Sequence, residues 1–571
     1  MKNLFKYLSG YKKELLFGPI FKLIEAIIEI TLPFIIADTI NKISVMNNSF
    51  IIHRGFFMLF LVLIGLISAS IAQFFAAKTS QGFGTELRNN LFKHICTLSS
   101  NQVETFGSSA LVNRITNDVT NLELAVAMFI RLVIRVPFIA IGSLIMVYVI
   151  SKNLFFPLLI ATLFLSITIF FIIKFSSKFH ALSNKKLDRL AIHVKENLIN
   201  MRIVRSFIGQ NKEKKKFEIL NNNIYKLYEK ANFISGLLNP INTLILDISI
   251  VIVLYLGNFQ IVNQSLSQGN LIAIINYISQ ILLAIIVLSN LVVIYAKAFA
   301  SSNRISEILN IHPLLNNGIE QDFDNCNIAV SFKNVSFGFN TDSNFFSSLN
   351  IDVYTGERIG IIGLTGSGKS VFLNLINRTY DVSSGELLIY GKNIKDYDLG
   401  FLKNNIRFID QKPCFLTTTI KDNVKMSSNC NDIEVEKSLE LSDSLEFVNS
   451  FSNKMNHILE NNANNLSGGQ KQRISISRAF IGSPKILILD DTTGALDFAT
   501  EAKIINNIFN FTTSISCTTF ISSQKISTIS KCNKIIVFDN GSIESIGTHN
   551  ELLKISPIYR KIYSMQTRVV W

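Results

Sequence analysis

Charged residues and tryptophan are both scarce in this sequence. Of its 571 residues only 17% are charged and one is Trp, whereas 48% are hydrophobic. The six cysteines show no CxxC spacing. We therefore predict reduced thiols and no metal bound by them. The length is enough for three or four average domains, but the apolar residues are unevenly spread and crowd the first half of the chain.

Six apolar segments in that first half approach or reach the ~20 residues that a helix needs to cross a bilayer. The third segment is interrupted at its start by Arg131 and Arg135. We predict six membrane-spanning helices. They lie near residues 15–36, 56–76, 136–150, 155–173, 234–257 and 271–296.

The formal net charge of +14 follows the predicted topology. Basic residues crowd the loops between spans two and three and between spans four and five, whereas residues 258–270 carry no charge. The positive-inside rule then places the N-terminus and everything after the sixth span in the cytoplasm. No nucleic-acid partner is expected. Lysines alternate with apolar residues over 1–13, which predicts an amphipathic helix on the cytoplasmic membrane surface rather than a cleaved signal.

The segment Gly363-Leu364-Thr365-Gly366-Ser367-Gly368-Lys369-Ser370 fits the P-loop pattern GxxxxGK[ST]. An apolar run typical of a strand precedes it, and a helical pattern follows. Backbone N–H groups of such a loop bind phosphate at a helix N-terminus. Lys369 is expected to reach the β- and γ-phosphates, and Ser370 to place its hydroxyl on Mg²⁺. We therefore expect the chain to bind a nucleoside triphosphate.

Further motifs follow the P-loop in a fixed order, within alternating short strands and helices that indicate an α/β sheet. They are Ile409-Asp410-Gln411, Leu466-Ser467-Gly468-Gly469-Gln470, Ile486-Leu487-Ile488-Leu489-Asp490 and Ala495-Leu496-Asp497. This set resembles the nucleotide-binding domain of ATP-binding cassette (ABC) transporters. In the membrane half, residues 114–119 and 196–207 resemble the first and second intracellular loops of ABC exporters.

The resemblance implies a membrane all-α six-helix exporter domain followed by an α/β P-loop NTPase domain of the ABC type. We expect a transmembrane domain over 1–305, with cytoplasmic loops at about 79–125 and 176–232, a linker over 306–325 and an ATP-binding domain over 326–571. This is the layout of a half-transporter. In such proteins each ATP lies between the P-loop of one chain and the LSGGQ of the other, so a dimer is expected.

The resemblance also assigns roles to single residues. Phe339 stands where an aromatic ring stacks on adenine, although core packing of this ring is an alternative. Asp490 and Gln411 are expected to bind Mg²⁺ together with Ser370, and Gln411 to link ATP to the intracellular loops. The residues expected to close over the partner's γ-phosphate are Ser467, Gly468, Gly469 and Gln470.

Three positions depart from the family pattern. Asp491 stands where a glutamate usually acts as general base, and its carboxylate is one methylene shorter. Gln524 stands where a histidine is usual; glutamine can hydrogen-bond a γ-phosphate but cannot carry the imidazole's proton or charge. We expect these two residues and Lys369 to determine the hydrolytic rate. The run 460–463 replaces a Gly-Glu-x-Gly run, so the coupling contact there is expected to differ.

These departures indicate one subunit of a heterodimeric exporter with a degenerate ATP site. We expect this exporter in the inner or cytoplasmic membrane. The expected substrate is hydrophobic or amphipathic: a drug, a lipid or a peptide. One alternative is a homodimeric exporter or lipid flippase with a slow aspartate-based ATPase, and another is an ATP-gated membrane regulator that does not pump. Arg131, Arg135 and Asp247 either line a polar path for the substrate, or the arginines reach an interface and one pairs with Asp247.

Overall fold

The computed structural model describes residues 2–42, 48–339, 345–426, 428 and 430–567. The chain divides into two compact units. The first, here called the membrane unit, comprises Met1–Thr97 and Glu104–His312. The second, here called the nucleotide unit, comprises Leu98–Val103 and Pro313–Trp571.

The membrane unit is helical, as the apolar runs predict. It opens with a 3₁₀ helix, Lys2–Tyr11, and π-helical turns at Arg114–Asp118 and Phe129–Val133 interrupt its third long segment. The α-helices up to residue 312 are α1 (Lys12–Lys42), α2 (Asn48–Thr97), α3 (Ser100–Phe106), α4 (Ser108–Asn113), α5 (Val119–Met128), α6 (Arg135–Ile150), α7 (Lys152–Ile199), α8 (Met201–Ser206), α9 (Gln210–Gly236), α10 (Leu238–Val262) and α11 (Gln268–Leu309). Residues 100–103 of α3 belong to the nucleotide unit.

Five helical segments among the described residues are long and apolar enough to cross a membrane: 48–97, 108–150, 152–199, 210–262 and 268–309. Helix α1 is 31 residues long, but Lys22, Glu25 and Glu29 interrupt its apolar sequence. Its crossing of the membrane therefore stays a prediction. Helix α2 has 50 residues, which at about 1.5 Å per residue spans roughly 75 Å. It is therefore far longer than a bilayer requires, and it continues into the predicted cytoplasmic loop at about 79–125.

Some partly buried charges of the membrane unit pair within it. Arg135 Nη2 lies 2.6 Å from Glu29 Oε2, and Arg135 Nε lies 3.4 Å from Glu25 Oε1. The sequence left open a pairing of Asp247 with one arginine. Asp247 is instead exposed, and it makes no ion pair with any residue that the structure describes. The carboxylates of α1 take that role because α1 packs against α6.

A second ionic cluster joins α11 to the π-helical turn at Arg114–Asp118. Asp118 is buried and accepts hydrogen bonds from Ser301 Oγ, at 2.8 Å, and from Arg304 Nε, at 2.8 Å. Arg114 Nη2 lies 3.0 Å from Glu307 Oε2. Because a buried carboxylate is costly without partners, this cluster fixes how α11 packs on that turn.

In the part of the nucleotide unit that the structure describes, ten strands form two sheets. They are β1 (Ile328–Phe337), β2 (Phe346–Tyr354), β3 (Arg358–Gly363), β4 (Ser384–Ile389), β5 (Lys392–Asn393), β6 (Ile406–Ile409), β7 (Ile486–Asp490), β8 (Thr518–Ser522), β9 (Lys534–Asp539) and β10 (Ser542–Gly547). One sheet has the order β2-β1-β4-β5 and is antiparallel; the other has the order β10-β9-β3-β8-β7-β6 and is parallel except at β10.

The helices of the nucleotide unit alternate with these strands. They are α12 (Lys369–Ile376), α13 (Leu399–Asn405), α14 (Ile420–Lys425), α15 (Asp432–Leu441), α16 (Leu445–Asn449), α17 (Gly468–Ser477), α18 (Phe498–Ser514), α19 (Ile526–Ile529), α20 (His549–Ile555) and α21 (Pro557–Thr567). The α/β prediction is therefore confirmed. The strands β3, β7 and β8 are almost wholly buried, as expected for a parallel sheet that is covered on both faces.

The predicted linker, 306–325, does not form a single connection. Helix α11 continues to Leu309, because Ile305 and Ile308 extend its buried face. The units divide after His312. Beyond that point the chain is fastened to the nucleotide unit, since the fully buried Arg378 donates from Nη2 to the carbonyl oxygen of Asn316 at 2.7 Å.

Candidate nucleotide site

Four neighbouring parallel strands bring the predicted motifs to one edge of the sheet. The P-loop follows β3, Gln524 follows β8, Asp490 ends β7, and Gln411 follows β6. In the sheet these strands are adjacent in the order β3-β8-β7-β6. Because the carboxyl ends of parallel strands lie at the same edge, their loops converge on one crevice.

That crevice is an open cleft of about 290 Å³. It brings together most of the catalytic, phosphate-binding and metal-binding residues that the sequence predicts. Its lining also includes Phe345, Val371 and Ser522, which the sequence analysis did not single out. The full lining is Phe345, Thr365, Gly366, Gly368, Lys369, Ser370, Val371, Gln411, Asp490, Asp491, Ser522 and Gln524.

Two glycines of the P-loop adopt left-handed backbone conformations, which L side chains rarely take. Gly366 has φ +83°, and a Cβ placed on it meets no atom within 4 Å, so this part of the loop is open to an incoming group. Gly368 has φ +107°, and a Cβ there lies 2.6 Å from Phe345 Cε1. The second glycine therefore allows the loop to pass close beneath an aromatic ring.

Lys369 is held over the P-loop. Its Nζ donates to the carbonyl oxygens of Gly363 and Leu364, both at 2.9 Å. Burial lowers the pKa of Lys369, and the nearby Asp490 and Asp491 oppose that shift. Ser367 Oγ is buried and has no hydrogen-bond partner within the described residues. A partly buried ammonium and an unsatisfied hydroxyl beside an open glycine loop fit a phosphate chain.

The predicted metal ligands offer oxygen atoms of the kind that Mg²⁺ prefers. Asp490 is buried at the end of β7. Burial raises the pKa of its carboxyl, the Ser370 hydroxyl beside it opposes that shift, and Asp491 adds to it. Gln411 lines the same cleft. The hydroxyl, carboxylate and amide oxygens of these three residues fit a hydrated magnesium ion that is shared with phosphates.

Asp491 is the first of the two substituted catalytic positions. Its backbone is left-handed, with φ +45°, and its N–H donates to the carbonyl oxygen of Ser522 at 2.9 Å. Its Oδ2 accepts a hydrogen bond of 3.2 Å from Gln411 Nε2. The predicted roles of Gln411 and Asp491 are separate, and no sequence pattern indicated this contact. The carboxylate that stands at the general-base position is thus tied to the predicted metal-sensing amide.

Phe339, the predicted adenine-stacking residue, does not line the cleft. Its ring is 49% exposed and packs against Phe337, Phe345 and Tyr380, with centroid separations of 5.1, 6.4 and 5.6 Å. Stacking on adenine and packing on neighbours are both compatible with a half-exposed ring. Residues 340–344 lie outside the described residues. Phe345 is the aromatic residue that lines the cleft, and in the sequence only its proximity to Phe339 pointed to it.

The LSGGQ segment is well ordered by its own hydrogen bonds. Ser467 caps α17, since its Oγ accepts from the N–H of Gln470 while Gln470 Oε1 accepts from the N–H of Ser467. A Cβ placed on Gly468 meets no atom within 4 Å, so the backbone there is accessible. The residues that line the cleft of this chain include none of Ser467, Gly468, Gly469 and Gln470. Their position agrees with a role at the ATP site of a partner chain.

Comparison with known proteins finds a matching family model for each of the two units. The family model for the ABC transporter transmembrane region matches residues 15–285, and the model for ABC transporter matches residues 346–494. "Uncharacterized ABC transporter ATP-binding protein YfiB" of Bacillus subtilis (strain 168) is 30% identical over 573 residues, which cover 99% of this chain and 98% of the relative. "Putative multidrug export ATP-binding/permease protein YgaD" of the same organism is 28% identical, with 99% of both chains covered.

The fold has a counterpart among solved structures. The structure of a bacterial Atm1-family ABC exporter with ATP bound superposes with a TM-score of 0.82 and 19% identity, covering 98% of this chain and 100% of that one. Fold and cleft together define a membrane transporter with a fused ATPase.

The chain belongs to the ABC transporter family. It is a multi-pass membrane protein whose nucleotide unit binds ATP and couples ATP hydrolysis to transport. Its half-transporter layout requires a dimer. The fold class and the family predicted from the sequence are confirmed.

Proposed function

We propose that this chain is one half of a heterodimeric exporter and carries its degenerate ATP site. The observation that supports this most is the position of Asp491 and Gln524. Both line the cleft that also contains Lys369 and Ser370, so the two departures from the family pattern affect one and the same ATP site. Because LSGGQ is intact and lies outside this cleft, we assign it to the partner's ATP.

The residues of the cleft support binding of ATP better than its cleavage. The P-loop, Lys369 and Ser370 are complete, and Asp490 stands beside them to bind Mg²⁺, which when bound neutralises phosphate charge. In contrast, Asp491 is short for a general base and already accepts a hydrogen bond from Gln411. The Gln524 amide can donate a hydrogen bond to a phosphate but supplies no proton or charge. ATP at this site therefore acts mainly as a long-lived clamp between the two chains.

We propose export of a hydrophobic or amphipathic substrate, with the nucleotide unit on the cytoplasmic side of the inner or cell membrane. The basic loops favour this orientation. An apolar pocket of about 550 Å³ in the membrane unit, with Lys12 at its border, supports an amphipathic cargo. The relative named for multidrug export agrees with it. The pocket lining is Leu8, Ser9, Lys12, Leu15, Phe83, Leu122, Ala125, Val126, Phe129 and Tyr295.

The test is ATP hydrolysis by this chain purified alone and co-purified with a candidate second half-transporter. We expect negligible turnover alone, turnover with the partner, and loss of that turnover when the partner's general base is neutralised. Replacing Asp491 with Asn in this chain should then change the rate little. Lys369→Ala is the comparison variant, because it weakens ATP binding at this site and leaves the general-base position unchanged.

A homodimer with a slow aspartate-based ATPase is the second candidate. The observation that favours it is that the Asp491 carboxylate does line the cleft. In that case the chain alone would hydrolyse ATP, and Asp491→Asn would abolish the activity. Robust ATP turnover by the chain alone, lost in Asp491→Asn, would contradict the heterodimer and support the homodimer.

A further inference from the structure

The segment that carries Gln524 is fastened from two sides by residues to which the motifs gave no role. On one side is Gln566, near the end of α21. On the other is Glu501, in the first turn of α18. Between them lie residues 524–528, the end of which forms the short helix α19. Neither Gln566 nor Glu501 lines the ATP cleft.

Gln566 holds the backbone on both sides of Lys525. Its Nε2 donates to the carbonyl oxygen of Gln524 at 2.6 Å, and its Oε1 accepts from the N–H of Ile526 at 2.9 Å. A carbonyl oxygen only accepts and an N–H only donates, so both partners fix the orientation of this amide. Within the described residues, no other hydrogen bond reaches Gln524 itself.

Glu501 holds the same segment through side chains. It is buried, and its Oε1 accepts from Thr528 Oγ1 at 2.9 Å and from Thr493 Oγ1 at 2.8 Å. Its other oxygen pairs with Lys525 Nζ. Thr493 follows Asp491 by two residues. One carboxylate therefore links the segments that carry both substituted catalytic positions.

We propose that Gln566 is a positioning residue that sets where the Gln524 side chain stands in the ATP cleft. Glu501 fixes the downstream end of the segment, and Gln566 fixes the peptide of Gln524 itself. This inference rests on the proposed role of Gln524 as a hydrogen-bond donor to the γ-phosphate. Without Gln566, the Gln524 backbone loses its hydrogen bond, and its side chain samples positions in which it does not reach that phosphate.

The test compares the affinities of the purified full-length chain for MgATP and MgADP. Only ATP has a γ-phosphate, so a lost contact to that group lowers the ratio of the two affinities. We expect Gln566→Ala to lower it about 2- to 10-fold, the range for one hydrogen bond. Gln566→Glu keeps the acceptor for Ile526 but not the donor for Gln524, so it should lower the ratio as well. Met565→Ala, at a 58% exposed neighbour, is the control and should change nothing.

A double-mutant cycle separates positioning from general loosening of the fold. Gln524→Ala should lower the affinity ratio, and adding Gln566→Ala should lower it no further. If Gln566→Ala weakens ATP and ADP binding equally, or if its effect adds to that of Gln524→Ala, the inference is overturned. The proposed role of Gln524 would stand in either case. If Gln524→Ala itself leaves the ratio unchanged, then the proposed role of Gln524 fails, and the inference fails with it. Gln566 is exposed, and a thermal unfolding curve verifies that each variant is folded.

Discussion

Substituting glutamate for Asp491 tests the degenerate-site proposal most directly. Asp491 occupies the predicted general-base position directly after β7, and its carboxylate accepts a hydrogen bond of 3.2 Å from Gln411. Glutamate adds one methylene, which extends the carboxylate by about 1.5 Å. We expect the longer side chain to bring the carboxylate within reach of the attacking water. We therefore predict that Asp491→Glu accelerates hydrolysis at this site.

The size of the effect follows from two opposing terms. A well-placed general base contributes roughly 10²- to 10⁴-fold to a rate, but Gln524 remains a poor substitute for an imidazole. We expect a rise of about 10- to 100-fold, which is roughly 1.4 to 2.7 kcal/mol of barrier. Against this, position 491 has φ +45°, and glutamate tolerates a left-handed backbone less well than aspartate, at a cost of roughly 1 kcal/mol. That strain lowers the stability of the fold rather than the rate.

The assay is phosphate release under single-turnover conditions, in the assembled transporter whose other ATP site has been silenced. Asp491→Asn is the isosteric control: it keeps the side-chain shape and removes the base, so its rate should equal or fall below that of the unaltered chain. Adding Gln524→His to Asp491→Glu should raise the rate again. An Asp491→Glu variant that binds ATP normally and hydrolyses it no faster would refute the reasoning, because reach would then not limit this site.

Three further predictions concern binding and stability. Lys369→Ala should weaken ATP binding about 10- to 100-fold through loss of a charge-assisted contact to phosphate, as an ATP titration will measure. Because burial raises the pKa of Asp490, its carboxyl gains a proton at a higher pH than an ordinary aspartate. As the pH falls, the Mg²⁺ dependence of ATP affinity should therefore weaken at a higher pH than an ordinary aspartate would give. Asp490→Asn should abolish this pH dependence. Arg304→Ala should cost about 1–3 kcal/mol of unfolding free energy, because Asp118 stays buried with fewer partners; an unchanged melting temperature, with Arg304→Lys as control, would contradict this.

The sequence predicts the helices of the membrane unit well where composition alone determines them. Long apolar runs must become helices in a bilayer, since no other open structure satisfies the backbone there. The same logic does not settle α1, whose sequence mixes apolar residues with Lys22, Glu25 and Glu29. Only the fold shows that Glu25 and Glu29 face Arg135 across a helix interface. Such pairings depend on which helices become neighbours, and periodicity carries no information about that.

The nucleotide cleft shows the same division between local and tertiary information. The P-loop and Asp490 are predictable because a short motif contains the loop, the strand or the helix start that its chemistry needs. The contact between Gln411 and Asp491 and the contacts of Gln566 join residues that are far apart in the chain. No spacing rule connects these residues, so their contacts become visible only in the folded structure.

We propose that binding and cleavage of ATP depend on different residues of this cleft, and that separation would give the proposed degenerate site its physical meaning. In that proposal the glycine loop, Lys369 and Asp490 act on ground state and transition state alike, and the Gln524 amide contacts the γ-phosphate in both. Asp491, at the predicted general-base position, matters chiefly as the bond to the γ-phosphate breaks. Weakening only that position lowers the hydrolytic rate and leaves the affinity largely intact. ATP then leaves this site mainly by dissociation. We therefore expect the release rate of ATP, which the contacts of the P-loop determine, to govern the lifetime of the closed dimer at this site.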